Sequence, residues 1–278
     1  MFYIPEIGSK SHLISPDIKK ALDSKELIFF FATGRSGTNL FEKIFATLPD
    51  TLSVHEPQPL FTNCFKAART NNEVALKFLV EKKLPFIASI EESRYVETSH
   101  IFCKAFLSPL LQLGIIPKLV IVNRDPVNTA FSFYQIDSAP FFTKKGNDFL
   151  LSPYEPNLIS LHNPKHYSEF QLCYWYVKEI AYRASIFKKF YQVNSFPFIT
   201  IDFDKDIVPE ILIGKLNDIT NGFELSKLQE VLSEKVNSKS HIKKKVNKAE
   251  ISSNDMLLSV EVLRNEILEY AGLDVYKV

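Results

Sequence analysis

The chain is short of cysteine: Cys64, Cys103 and Cys173, odd in number and widely separated, exclude a disulfide framework and a cysteine-based metal knuckle. No segment reaches the roughly 18 to 20 uninterrupted apolar residues that a membrane-spanning helix needs. The opening stretch, MFYIPEIGSKSHLISPDIKK, lacks the charged start, apolar block and small-residue cleavage site of a secretory signal. Charge of one sign is also missing: 33 Lys and Arg against 32 Asp and Glu leave a formal net charge of +1. That balance excludes a broad nucleic-acid or membrane-surface footprint, so any basic chemistry is local and suits a small anionic ligand. These absences predict a cytoplasmic protein with no nucleic-acid partner, no membrane span and no metal. What is present, 46% hydrophobic and 23% charged residues over 278 positions, suffices to bury the core of one large domain over residues 1–278.

The most informative stretch is Leu27 to Leu40, LIFFFATGRSGTNL, where an apolar strand empties into Gly34-Arg35-Ser36-Gly37-Thr38 and then into a helix beginning near Asn39. Such a strand, glycine turn and helix N-terminus aim several backbone N–H groups and the positive end of a helix dipole at one point. Glycine at 34 and 37 lets the backbone approach a phosphate with no Cβ in the way. A nucleotide-hydrolysing GxxxxGK[ST] loop carries a lysine directly before its hydroxyl residue, whereas here Gly37 precedes Thr38 and the cation is Arg35.

Apolar runs and periodicity predict further elements. Asn39 to Leu48 reads as a helix, Thr51 to Val54 as a second strand ending in His55-Glu56-Pro57, and Phe61 to Lys83 carries helical spacing. A third strand is expected in His100 to Phe106 and a fourth in Lys118 to Asn123, followed by Arg124-Asp125-Pro126 and a helix from Val127 to about Gln135. Ile136 to Lys165, rich in Pro, Ser, Asn and aromatics, is too long for an ordinary connection and reads as a cap or substrate loop within the domain. Beyond it come a helix over Tyr167 to Tyr191, a strand over Pro197 to Asp202, helices at Ile207 to Leu216, Leu225 to Val236 and Asn254 to Ala271, and a basic stretch between the last two. Strands alternating with helices predict an α/β fold of three layers, α/β/α, with a central mainly parallel sheet and ligands at the C-terminal strand ends.

Three of those strand ends carry unusual chemistry: the glycine loop, His55-Glu56-Pro57, and Arg124 with Ser132 eight positions later on the next helix. After about two helical turns a guanidinium and a hydroxyl so spaced can grip one phosphate from two sides. A second phosphate site beside the loop implies a ligand with separated phosphates.

With these residues the chain resembles the sulfotransferases that use 3′-phosphoadenosine 5′-phosphosulfate (PAPS). Thr33 to Leu40, TGRSGTNL, is similar to their 5′-phosphosulfate loop, and Arg124, Pro126 and Ser132 match their 3′-phosphate element. The Trp175 helix and the strand from Ile199 to Asp204 look like the region that follows the family's cap. The resemblance implies that Gly34, Arg35, Ser36, Gly37, Thr38 and Asn39 bind the 5′-phosphosulfate and that Arg124 and Ser132 hold the 3′-phosphate. It also implies that Lys243, Lys244 and Lys245, in the basic stretch, close over the nucleotide. Fixed Arg and Lys neutralise the leaving group in this chemistry, so PAPS is required and a metal is not.

One branch of the family, acting on phenols and steroids, carries a lysine and then a histidine on a central strand. The comparable segment here, FCKAFL at 102–107, keeps Lys104 but has Phe106 in place of that histidine, which sets the chain nearer the branches that use a glutamate base after the second strand. Glu56 is then the expected base, with His55 second, although an acidic residue before Pro57 equally suits a helix start. Lys104 reads either as a leaving-group cation or as a lysine snorkelling from a strand end. The expected reaction moves a sulfuryl group to the hydroxyl of a carbohydrate, lipid or small metabolite and releases adenosine 3′,5′-bisphosphate. Two other readings stand beside it: a nucleotide kinase or NTPase on a degenerate phosphate loop, and a nucleotide-binding protein without catalysis.

Overall fold

The computed structural model describes residues 4–234. Five strands, β1 Glu26–Phe31, β2 Thr51–Val54, β3 Arg94–Glu97, β4 Lys118–Asn123 and β5 Phe198–Asp202, form one sheet in the order β2-β3-β1-β4-β5. Every pairing is parallel. Parallel strands need helical crossovers, and these cover both faces. The helices are α1 Pro16–Asp23, α2 Thr38–Phe45, α3 Phe65–Ala68, α4 Asn72–Phe78, α5 Leu84–Ser89, α6 Phe102–Ala105, α7 Leu107–Gln112, α8 Pro126–Gln135, α9 Lys144–Phe149, α10 Glu169–Val193, α11 Pro209–Asn217 and α12 Leu225–Glu234.

The period of two along β1 divides its side chains between two cores. Leu27, Phe29 and Phe31 pack with α6, α7, α8 and α10, while Ile28, Phe30 and Ala32 pack with Leu40, Phe41, Ile44 and Phe45 of α2 and Leu212 and Leu216 of α11. The fold is the expected three-layer α/β/α arrangement. Among the described residues no helix is long and apolar enough to cross a membrane.

Several elements depart from the sequence reading. Phe61 to Lys83 is not one helix: it breaks into a short 3-10 turn, α3, α4 and a π-helical turn over Leu79–Lys83, and the Asn71 side chain caps α4 by accepting from the Glu73 N–H. The third strand lies at Arg94–Glu97 rather than His100 to Phe106, whose apolar run forms the helix α6 instead. Ser99 Oγ accepts from the Ile101 N–H and helps turn the chain out of the sheet before that run begins. The consecutive aromatics Tyr174, Trp175 and Tyr176 are all buried, because α10 is covered on more than one side. Trp175 Nε1 donates to the Ile159 carbonyl of the cap segment at 2.8 Å, and the Tyr176 hydroxyl donates to the Thr33 carbonyl beside the glycine loop at 2.6 Å. The expected cap, 136–165, contains α9 and is otherwise largely irregular. The basic stretch with Lys243, Lys244 and Lys245 and the helix expected at Asn254 to Ala271 lie outside the described residues.

Candidate functional site: an anion crevice beside an acid–base chain

In the strand order β2-β3-β1-β4-β5, the connection after β1 leaves toward β2 and the connection after β4 leaves toward β5. The carboxyl ends of β1 and β4 therefore open a crevice at the point where the winding reverses, which is where doubly wound sheets receive ligands. Both basic motifs end there.

The loop between β1 and α2 is built for close approach. Gly34 and Gly37 each have φ +83° and Arg35 has φ +56°, three left-handed residues in four. A Cβ on Gly37 would stand 2.0 Å from the Phe203 ring, so both its conformation and its neighbour require glycine. Among the described residues no acceptor takes the backbone N–H groups of Ser36, Gly37, Thr38 or Asn39. Ser36 Oγ is wholly buried and, among the described residues, also lacks a hydrogen-bond partner. Orphaned donors at a helix N-terminus are costly unless something meets them, and a phosphate or sulfate oxygen is the group that fits.

Arg35 Nε donates to Ser132 Oγ at 3.0 Å, and Arg124 Nη1 donates to the Arg35 carbonyl at 2.6 Å. The structure thus brings Arg35, Arg124 and Ser132 together, with Arg35 as the shared partner rather than an anion. Burial, then the charge of Arg124, pull the Arg35 guanidinium below its ordinary pKa. Arg124 lies over the Phe203 ring and its Nε is 3.5 Å from Asp204 Oδ1 without hydrogen-bonding to it. Two adjacent guanidiniums with one loosely held carboxylate make an electropositive crevice.

On the other side of β1, the ends of β2 and β3 carry the acid–base residues. Glu56 has φ +52°, an uncommon conformation for a non-glycine residue that costs of order 1 kcal/mol. Its Oε1 lies 3.4 Å from His100 Nε2, and His100 Nδ1 lies 2.8 Å from Lys104 Nζ. His100 also packs on the glycine loop: a Cβ on Gly34 would be 3.0 Å from its ring. Burial, then Lys104, His55 and Arg35, hold the His100 pKa well below its ordinary value. Burial pushes Lys104 down to about 7. His55 is turned aside, with Nδ1 3.0 Å from Thr98 Oγ1.

An open cleft of about 310 Å³ joins the two sides, lined by Gly34, Arg35, Thr38 and Asn39, by His55, Glu56 and His100, and by Phe133, Ile136, Ser138, Lys145, Phe149 and Leu150. The cap therefore contributes Ile136, Ser138, Lys145, Phe149 and Leu150, while Phe141 and Tyr154 meet each other edge to face instead, centroids 4.8 Å apart. Lys104 is neither a snorkelling strand-end lysine nor a strand residue: it is 5% exposed on α6, its Nζ donating to the Phe149 carbonyl at 2.5 Å and flanked by the rings of Phe65 and Tyr176.

The sequence reading missed His100. Starting the third strand six residues late, at His100 rather than Arg94, put its end nine residues late, at Phe106, which is fully buried in the core, instead of at Glu97. Phe106 is therefore not a strand residue, and the residues that leave β3 are Thr98, Ser99 and His100. Neither protein-family models nor curated proteins yield a match to the chain. Among the described residues no group of His, Cys, Asp and Glu is arranged to hold a metal.

Proposed function

We propose that this chain is a PAPS-dependent sulfotransferase that moves a sulfuryl group to an acceptor hydroxyl and releases adenosine 3′,5′-bisphosphate. The observation that carries this reading is the set of donors at the mouth of β1 that find no acceptor among the described residues, four N–H groups and the buried Ser36 hydroxyl, beside Arg35 and Arg124. Sulfuryl transfer spreads negative charge over the departing oxygen, so fixed cations and amides supply most of the stabilisation. Arg35 and the loop amides meet the 5′ end of the donor. Arg124 and Ser132 take the 3′-phosphate by exchanging their present contacts with Arg35 for phosphate oxygens. The missing Lys before Thr38 weighs against magnesium-dependent nucleotide hydrolysis.

Glu56, 28% exposed at its side chain and lining the cleft, receives the proton of the acceptor hydroxyl, and His100 steadies its carboxylate. The acceptor lies against Phe133, Ile136 and Phe149, so a carbohydrate, lipid or small metabolite with an apolar flank is the substrate class to screen. Turnover of PAPS across a panel of hydroxyl acceptors, read as bisphosphate released and sulfated product formed, tests the reading. Glu56→Gln should lower turnover by about 100-fold or more while leaving bisphosphate affinity within about threefold. Loss of affinity in parallel with turnover would remove Glu56 from the base role.

A further inference from the structure

Among the described residues, Lys104 is the one buried lysine whose amino group reaches the acid–base side of the cleft, and the contacts around it are directional. Its Nζ is 2.5 Å from the Phe149 carbonyl, which only accepts, and 2.8 Å from His100 Nδ1. An ammonium there donates to both, which leaves Nδ1 as the acceptor nitrogen and puts the imidazole proton on Nε2. That Nε2 lies 3.4 Å from Glu56 Oε1, within ion-pair distance but without a formed hydrogen bond. Lys104, His100 and Glu56 so form a chain of close contacts from the interior of α6 to the cleft.

We propose that Lys104 is a positioning residue: its ammonium holds His100 as the Nε2–H tautomer, and that N–H in turn fixes the Glu56 carboxylate in the left-handed loop after β2. The inference rests on the proposed transfer reaction for its consequence in catalysis but not for the tautomer itself. The groups facing these three residues are Glu56 and His55 after β2, Arg35 after β1, Arg69 just after α3, Cys103 beside Lys104, and Arg183 and Tyr176 of α10. Arg69 and Arg183 pair with Glu155 and Glu179, so neither cation needs Lys104 to be neutral. The Lys104 pKa of about 7 means that its proton leaves close to neutral pH, after which the free amine can accept from Nδ1–H and the tautomer preference is released. Lys104 then acts as a switch on the Glu56 partner without touching the acceptor.

Imidazole ¹⁵N chemical shifts of the full chain, followed from pH 5.5 to 8.5, read this directly, with the His100 signal assigned by its loss in His100→Gln. The expected result is an Nε2–H tautomer at pH 6 that shifts toward Nδ1–H with a midpoint near 7. Lys104→Met should abolish that transition, and Lys104→Arg, which stays charged, should preserve the Nε2–H tautomer through pH 8.5. The same tautomer and the same pH response in wild type and Lys104→Met, both folded by circular dichroism, would overturn the proposal. If Lys104→Met does not fold, a mixed tautomer or an unmoved transition in Lys104→Arg overturns it equally. Should transfer from PAPS be found, Lys104→Met should lower kcat by about 10- to 100-fold with the donor KM unchanged. Absence of PAPS turnover would sink the transfer reading and leave the tautomer result standing.

Discussion

The two sides of the central crevice hold their charges in opposite ways. At the ends of β1 and β4, Arg35, Arg124 and Ser132 are partly exposed, and among the described residues nothing meets Ser36 Oγ and four amides of the loop between β1 and α2. At the ends of β2 and β3 the ionisable groups are matched internally: fully buried Lys83 sits 3.1 Å from fully buried Glu97, Tyr95 donates to the same carboxylate at 2.6 Å, and His100 links Glu56 to Lys104. One side spends stability on donors waiting for an anion; the other fixes a proton-handling group against its own framework. The difference teaches which residues answer to a ligand and which to the fold.

The sharpest way to break that contrast is to remove one partner of the buried pair. Lys83→Met or Glu97→Gln should each destabilise the protein by about 3 to 5 kcal/mol in denaturant unfolding, because a buried charge loses its partner. Lys83→Met combined with Glu97→Leu should recover most of the loss. On the open side, Arg124→Ala should change stability by less than about 1 kcal/mol and weaken bisphosphate binding by roughly 10- to 100-fold, as befits a charged donor to phosphate. Ser36→Ala sharpens the same point in a smaller way. Removing a buried hydroxyl with no partner should leave the free protein as stable or about 1 kcal/mol more so, while costing about three- to tenfold in anion affinity. A Ser36→Ala protein less stable than wild type would mean that the hydroxyl already has its partner.

The pH response separates the sides again. Burial lowers Lys104 to about 7, against about 10.4 for a lysine in the unfolded chain. Between those values the unfolded state binds more protons than the folded state, so this lysine makes stability rise with pH over that window, by at most about 1.4 kcal/mol per pH unit. Unfolding of wild type and Lys104→Met at pH 7 and pH 9 checks the sign: the rise should be smaller in the variant.

The same contrast governs how much the amino-acid sequence reveals. β1, β2 and β4 are legible because their apolar runs are bounded by glycine, proline or charge, and the glycine loop and Arg124 announce themselves at strand ends. β3 is not, since Arg94-Tyr95-Val96-Glu97 hides its burial behind charge. Arg94 pairs with Glu26 at 2.5 Å on the neighbouring strand, and Glu97 is paid for by Lys83, which a π-helical turn delivers from 14 residues earlier. Pairings across such separations leave no periodic trace, so the strand end and His100 beyond it escape notice. The link between Arg35 and Ser132 is equally invisible, spanning 97 positions. The grouping of Arg35 with Arg124 was readable; the direction of their hydrogen bonds was not.

The central claim is that the crevice at β1 and β4 takes a nucleotide with separated phosphates. Titration calorimetry of the full chain with adenosine 3′,5′-bisphosphate, ADP and ATP, with Arg124→Ala in parallel, tests it most directly. The account predicts that the bisphosphate binds more tightly than ADP or ATP and that the preference is lost in Arg124→Ala. A preference for ATP, or no bisphosphate binding by the folded protein, would contradict it.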